Sequence, residues 1–343
     1  MNKNSVISID LAKNVFQVCL INEHNKVVFN RKIRRNNLVQ TVLKLDCKHI
    51  VMEACYSSNY WGRAFQQLGY SVNLIPPHQV KPFVVGNKND HNDAIAIAEA
   101  SKRPKASFVA VKTLEQQDIQ SLDRIRDRLV KSRTAVANQL RGLLAEYGVI
   151  LEKKMAALRK EIPMILEDPD NQLTVNSREF INGLYQELIR HDERIQENET
   201  KAGQLLSQND DYKRLQTIPG IGPIVGRGII SAVSDPKMFK NGRQMAAWIG
   251  VTPKQHASGD QSRMGAISKR GNHNLRRQLI HGARAVVRWC EGKEDALSLW
   301  LQNLLQKKPK SKVVVALANK LARIAWAVLS KGEDYNPLVI AKT

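Results

Sequence analysis

A chain of 343 residues has room for two or three domains and a sizeable buried core. Its 53 Lys and Arg against 32 Asp and Glu leave a formal net charge of +21, an excess that repels itself unless polyanions neutralise it; nucleic acid is the expected partner, although charge does not separate an enzyme from a binder. Cys19, Cys47, Cys55 and Cys290 lack both CxxC zinc spacing and the density of a disulfide scaffold, and neither an apolar leader nor an apolar run of membrane-spanning length is apparent, so the expectation is a soluble cytoplasmic, nucleoid-associated protein with reduced thiols and no membrane partner.

From Ser5 to Ile33 three short apolar runs, Val6 to Ile9, Val15 to Leu20 and Val27 to Phe29, are separated by turn-like breaks and predict an antiparallel meander. A helix near Leu38 to Leu45, a strand at His49 to Met52, a helix around Trp61 to Leu68 and a strand at Ser71 to Ile75 follow, the last ended by Pro76-Pro77. The next helix begins near Asp90, with Ala94, Ile95, Ile97 and Ala98 on its inner side. Three strands followed by alternating helices and strands is the element order of an RNase H-like α/β domain, placed at residues 1–110.

Between Leu114 and Leu144 the residues Ile119, Leu122, Ile125, Leu129, Val136, Leu140 and Leu143 recur at helical spacing, and Ile181, Leu184, Leu188, Ile195, Ala202 and Leu205 do so at near-heptad spacing. Residues 111–208 therefore read as two long helices separated by a polar break at Glu167 to Asn176. The pattern suits either a hairpin within the chain or a coil between chains, and oligomerisation is the preferred reading. After Asp210 come Gly-rich turns, a basic loop and apolar helices near His273 to Cys290, Ala296 to Leu305 and Val313 to Leu329, a third, mostly helical domain at 209–343.

Four acids stand out by placement. Asp10 closes the first predicted strand, Glu53 the fourth, and Asp90 and Asp93 open the following helix with an i, i+3 spacing that puts both on one face. In an RNase H-like sheet the first and fourth strands are neighbours, and phosphoryl transfer needs clustered acidic oxygens that hold Mg2+ (or Mn2+) ions roughly 4 Å apart. Singly these residues read as turn, cap or first-turn acids; jointly they favour a metal site.

The segment Leu215 to Val225, with Pro219, Gly220 and Gly222, resembles a helix-hairpin-helix whose tight turn offers amides to a phosphate. Downstream, Ser258, Ser262 and Ser268 lie among Lys254, Arg263, Lys269, Arg270, Arg276, Arg277, Arg284 and Arg288, with Asp260 as the lone acid, so phosphate contact is the natural reading. A serine nucleophile needs deprotonation and a positive field at the phosphate, which such a loop supplies, but chemistry alone does not rank the three serines.

Several ordered motifs carry a family resemblance: Ile9-Asp10-Leu-Ala-Lys13, Met52-Glu53-Ala-Cys-Tyr56, Asn89-Asp90-His-Asn-Asp93-Ala94, Val111-Lys-Thr-Leu-Glu-Gln-Gln117, Asn138-Gln-Leu-Arg-Gly-Leu-Leu144, Ile218-Pro-Gly-Ile-Gly222, Gly250-Val-Thr-Pro253 and Ser258-Gly259. Along nearly its whole length the chain resembles the insertion-sequence 110 family of transposases, especially its 1111 subgroup, with Cys55-Tyr56-Ser57 where much of the family has a Thr-Gly pair. The resemblance implies a RuvC-type domain with an Asp10, Glu53, Asp90, Asp93 tetrad, a coiled-coil region and a transposase domain in which Ser258 attacks a DNA phosphodiester and forms a transient phosphoserine link. It also implies donor and target DNA, a structured non-coding guide RNA and a dimeric or tetrameric assembly with active sites composed across protomers. A few such relatives are site-specific invertases. The rival expectations are a RuvC-like junction nuclease in which water attacks, and a non-catalytic nucleic-acid-binding protein whose acids are structural.

Overall fold

The computed structural model describes residues 5–85, 89–104, 106–258 and 261–337, with the side chains of Ala257, Gln261 and Ser262 outside the description. The chain forms two compact units, one of residues 1–116 with 233–235, the other of residues 117–232 with 236–343.

The first unit is built on β1 (Val6–Asp10), β2 (Val15–Ile21), β3 (Val27–Arg34), α1 (Leu38–Leu43), β4 (His49–Glu53), α2 (Ser58–Gln67), β5 (Ser71–Ile75), α3 (Pro77–Val80) and α4 (Asp90–Ser101). Its sheet has the order β3-β2-β1-β4-β5, with β1, β2 and β3 antiparallel and β1, β4 and β5 parallel. The expected meander and the pairing of first and fourth strands are both present. Alternation along the strands divides the core: Ile7, Ile9, Phe16, Val18, Ile50 and Met52 pack on Leu38, Val42, Trp61 and Phe65 of α1 and α2. On the opposite face Val6, Cys19, Ile21, Val51 and Ile75 meet the Ala-rich side of α4. Small residues let α4 lie close to the sheet, and Ser8 Oγ donates to the Ala94 carbonyl at 2.6 Å.

The second unit opens with α5 (Leu114–Glu146), α6 (Met155–Glu167) and α7 (Val175–Leu206). Arg126 meets Glu199 and Arg133 meets Asp192, at 2.7 and 2.8 Å, so positions that rise along α5 fall along α7. The helices are an antiparallel hairpin within one chain. Ile181 and Leu188 of the expected heptad seam pack on Val136, Leu140 and Leu144, together with Leu158 and Ile162 of α6. Leu205, expected in the seam, is 58% exposed and Leu206 is buried in its place, because the helix period of 3.6 drifts from a strict heptad over this length.

The rest comprises α8 (Asp210–Gln216), α9 (Pro223–Ala232), α10 (Gly242–Ile249), β6 (Pro253–Ser258), β7 (Gln261–Ile267), α11 (His273–Arg288), α12 (Ala296–Lys307) and α13 (Lys310–Lys331). The stretches expected as separate domains are joined in one body: Arg227 of α9 pairs with Asp123 of α5 at 2.5 Å, and Arg277 of α11 with Asp127 at 2.6 Å. Helix α13 is long and apolar enough to cross a membrane by length and composition, unlike the sequence expectation. Its apolar side, including Val313, Leu317, Leu321 and Ala325, is buried, and it packs against α10 and α11.

Candidate functional site

Two adjacent strand ends set the geometry of the acidic site. Ile9 lies opposite Met52 in the parallel pair, so the next residue of each strand, Asp10 and Glu53, stand side by side. Strand alternation turns Asp10 to the side of Ser8 and Glu53 to the side of Val51, the face that α4 covers. The Cys55 thiol is pushed up to about 11, first by desolvation and then by the negative charge of Glu53 and Asp10, so both carboxylates act on one point.

Asp90 and Asp93 do occupy the first turn of α4, whose N-cap Asn89 accepts from the Asn92 amide at 2.8 Å. Asp90, however, pairs with Lys32 of β3 at 3.0 Å, and Asn30 of β3 donates to the His91 carbonyl at 3.2 Å. Lys32 is in register with Gln17, and Gln17 with Asp10, so Asp90 leans over a strand two places, about 10 Å, from β1. Among the described residues no three His, Cys, Asp or Glu side chains converge to hold a metal ion. The donor set is right for a hard cation, since Asp10 and Glu53 offer adjacent carboxylates. The four acids do not form one cluster in this conformation: Asp90 would have to leave Lys32 to join it.

In the second unit the expected flexible basic loop is an antiparallel ribbon, β6 against β7, with His256 opposite Arg263 and Ser258 opposite Gln261. The intervening Gly259-Asp260 lies outside the described residues, yet a Gly-Asp pair between two strands is the hairpin signal that reading the stretch as a loop overlooked. Alternation places Lys254, His256 and Ser258 on one face with Arg263, all four exposed. Ser258 thus ends its strand among cations. Ser268 is at the ribbon's root, where its amide donates to the Thr252 carbonyl at 2.8 Å and its hydroxyl is buried without a partner. The side chain of Ser262 lies outside the described residues.

The other predicted contacts divide. Lys269, at φ 55°, and Arg270 are exposed at the ribbon's exit. Arg276 corrects the expectation of a phosphate contact: it is 7% exposed and donates to the carbonyls of Ile249 and Arg270 at 3.0 and 3.1 Å. Arg277 is half-buried and committed to Asp127. Helix α11 still presents His281, Arg284 and Arg288 to solvent. In the α8–α9 turn Gly220 has φ 87°, and a side chain there would collide with Val286 and the Gly282 carbonyl of α11, whereas Gly222 is exposed. Gly220 therefore serves close packing, and Gly222 is the member of the pair at the surface. Sequence reasoning passed over Tyr56 and Tyr60, 76% and 53% exposed beyond β4, and Trp289, 65% exposed with the Arg288 guanidinium 5.2 Å from its ring centre. Aromatic residues leave no periodic signal that tells an exposed ring from a buried one.

Residues 7–149 match a DEDD transposase family model, and residues 212–297 match the model described as the transposase IS116/IS110/IS902 family. The chain is 44% identical to the transposase for insertion sequence element IS1111A of Coxiella burnetii, over 98% of this chain and 92% of that protein. It is likewise 44% identical to a probable family 20 transposase of Pseudomonas aeruginosa, over 97% and 99% of the two chains. At 21% identity, over 96% and 97%, it is similar to the pilin gene-inverting protein of Moraxella bovis. With the acid pair in the span of the first model and the serine ribbon in that of the second, the chain belongs to the IS116/IS110/IS902 family of transposases.

Proposed function

We propose that the protein is an insertion-sequence transposase that cuts and rejoins DNA with Ser258 as nucleophile, its RNase H-like unit supplying Asp10, Glu53, Asp93 and Asp90 as ligands for Mg2+ or Mn2+. The observation that carries this reading is the ribbon face: a serine hydroxyl at a strand end, exposed, with Lys254, His256 and Arg263 around it. Ser258 Oγ loses its proton and attacks the phosphorus, the deoxyribose oxygen leaves with the electron pair of the broken P–O bond and takes up a proton to become a hydroxyl, and a phosphoserine link forms. Attack by another strand's hydroxyl breaks the serine–phosphorus bond and restores a phosphodiester, so each exchange conserves ester bonds. Lys254 and Arg263 would hold the phosphate oxygens as charge builds on them. A bound divalent ion supplies charge neutralisation at the phosphate. Lys269, Arg270 and the Gly222 end of α9 extend the backbone contacts, with Arg284 and Arg288 of α11.

The resemblance also supports a structured guide RNA that selects donor and target, and a dimer or tetramer that joins the acids of one protomer to the serine of another. Similarity to the pilin gene-inverting protein supports inversion as a second reading served by the same residues. The test is denaturing electrophoresis of the full chain with element-end DNA, copurified RNA and Mg2+. Wild-type protein is expected to give nicked DNA bound covalently to protein, Ser258→Ala no adduct, and Asp10→Asn a loss of cleavage of at least a hundredfold, on the order of one lost electrostatic stabiliser. Hydrolysed ends without adduct would refute the serine in favour of a water-using nuclease, full activity in both variants would refute both residue assignments, and neither cleavage nor adduct from the wild type would leave a binding protein.

A further inference from the structure

Two exposed aromatic rings, Tyr56 and Tyr60, follow the strand that ends at Glu53. Strand β4 ends at Glu53, and the chain turns through Cys55, Tyr56 and Ser57 into α2. Ser57, the N-cap, takes a left-handed conformation at φ 65°, and Ser58 Oγ donates to the Cys55 carbonyl at 2.9 Å, which fixes the turn. Tyr56 precedes that cap, a position whose apolar side chain ordinarily packs on the fourth helical residue, here Trp61. Trp61 is instead 5% exposed and packed against Phe16, Tyr60 and Phe65, with ring centres 5.4, 5.1 and 6.0 Å away. Tyr56 is left 76% exposed and Tyr60 53%.

Cations frame the pair. The Arg35 guanidinium sits 5.9 Å from the Tyr60 ring centre and 5.1 Å from that of Trp61, and it donates to the Lys13 carbonyl at 3.3 Å. The Arg35 amide donates to the Asn14 carbonyl at 2.9 Å, tying the end of β3 to the turn that leaves Asp10. Lys13, Arg34 and Arg35 are all exposed. The strand-end edge of the first unit therefore carries two carboxylates on the α4 side, two exposed rings, of which Tyr60 is contacted by Arg35 and Trp61, and three exposed cations.

We propose that Tyr56 and Tyr60 are a stacking platform for an unpaired nucleobase whose backbone runs over Lys13, Arg34 and Arg35 toward the Asp10–Glu53 pair. A duplex hides its base faces, so rings can stack only on bases that are everted, mismatched or single-stranded. The platform would thus select nucleic acid already opened beside the phosphate to be cut. It rests on the nucleic-acid-acting reading but not on which group is the nucleophile.

The experiment measures binding of the full chain, in metal-free buffer, to one DNA sequence as duplex, as the same duplex with a three-base bubble and as a single strand, and to the matching single-stranded RNA. Tyr56→Ala/Tyr60→Ala is expected to weaken bubble and single-strand binding by roughly 5- to 100-fold while duplex binding changes less than about twofold. Tyr56→Phe/Tyr60→Phe should keep wild-type affinity, because stacking needs the ring and not the hydroxyl. Bromodeoxyuridine in the bubble should crosslink to Tyr56 or Tyr60. A differential loss on the DNA or the RNA strand supports the platform and names its occupant; equal loss on all substrates, no loss, or crosslinks confined to other aromatics overturns it. Unchanged melting of the Ala variant, expected from exposed rings, separates lost stacking from lost fold. Because the readout is binding without metal, it stands or falls independently of the Ser258→Ala adduct assay.

Discussion

Arg276 and Arg277 adjoin in the sequence but differ in role. The guanidinium of Arg276 is drawn inward by two carbonyls, of Ile249 and Arg270, and burial lowers its pKa from the ordinary arginine value. Removing it strands both acceptors, so Arg276→Ala is expected to destabilise the protein by about 2–4 kcal/mol in urea titration. It should leave the salt slope of DNA binding unchanged. Arg284 is exposed on the same helix, and Arg284→Ala should reverse the pattern, with stability within about 0.5 kcal/mol and the slope reduced by about 0.9. A run of cations reads as surface because charge is usually solvated; the inward carbonyls that claim Arg276 come from residues 27 and 6 positions away. Asp10 and Glu53 were legible for the opposite reason. Each follows a buried β run directly, and strand pairing brings the two ends together.

At the scale of elements, the hairpin of α5 and α7 shows what periodicity contains. Apolar spacing marked both helices but did not say which chain fills the seam, since a hole accepts a knob from either source. Within the single chain, polar side chains complete the seam: Asp192 of α7 accepts from Arg133 of α5 and Arg159 of α6 at 2.8 and 2.7 Å. Burial opposes ionisation of Asp192, but the hydrogen bonds and charges of Arg159 and Arg133 outweigh it and hold the carboxyl below its ordinary 3.8. A depressed folded pKa stabilises above the unfolded value and loses that contribution as pH falls through the folded one. Asp192→Asn is therefore expected to cost about 1–2 kcal/mol at pH 7, allowing for solvent screening of the half-exposed arginines. The gap between variant and wild type should close as pH drops below 3.8. A gap constant down to pH 2 would show that the arginines do not depend on the carboxylate's charge.

For the whole molecule the governing quantity is the net charge of +21. Binding that neutralises six to ten phosphates should weaken by about 10^3 to 10^5 between 50 and 200 mM salt, read as a linear plot of log affinity against log salt. A slope near zero would mean that the basic residues are held in internal pairs like those of Arg227 and Arg277. The β-meander, the long helices α5 and α7 and the placing of Asp10 and Glu53 at strand ends were visible in the sequence, because each depends on local pattern, whereas α6 and the β6–β7 ribbon were not. The joining of the α5–α7 hairpin with the C-terminal helices in one unit was not, because it rests on pairs such as Asp123 with Arg227, whose partners lie far apart in the chain. Nor was Asp90's attachment to Lys32, a contact between surface charges that leaves no pattern.

Where the ribbon leaves the helices, its two limbs cross glycine to glycine. Any side chain at Gly250 would strike the backbone of Arg270, and any at Gly271 the carbonyl of Trp248, while Lys269 donates to the Gly250 carbonyl at 3.1 Å. This crossing fixes where the ribbon starts and stops but places no demand on what lies between, since the described ribbon residues from Pro253 to Met264 bury nothing into the helices. The ribbon is in effect a cartridge in a rigid socket. Changes of sequence among the described ribbon residues are therefore expected to leave the melting of the helical body unaltered.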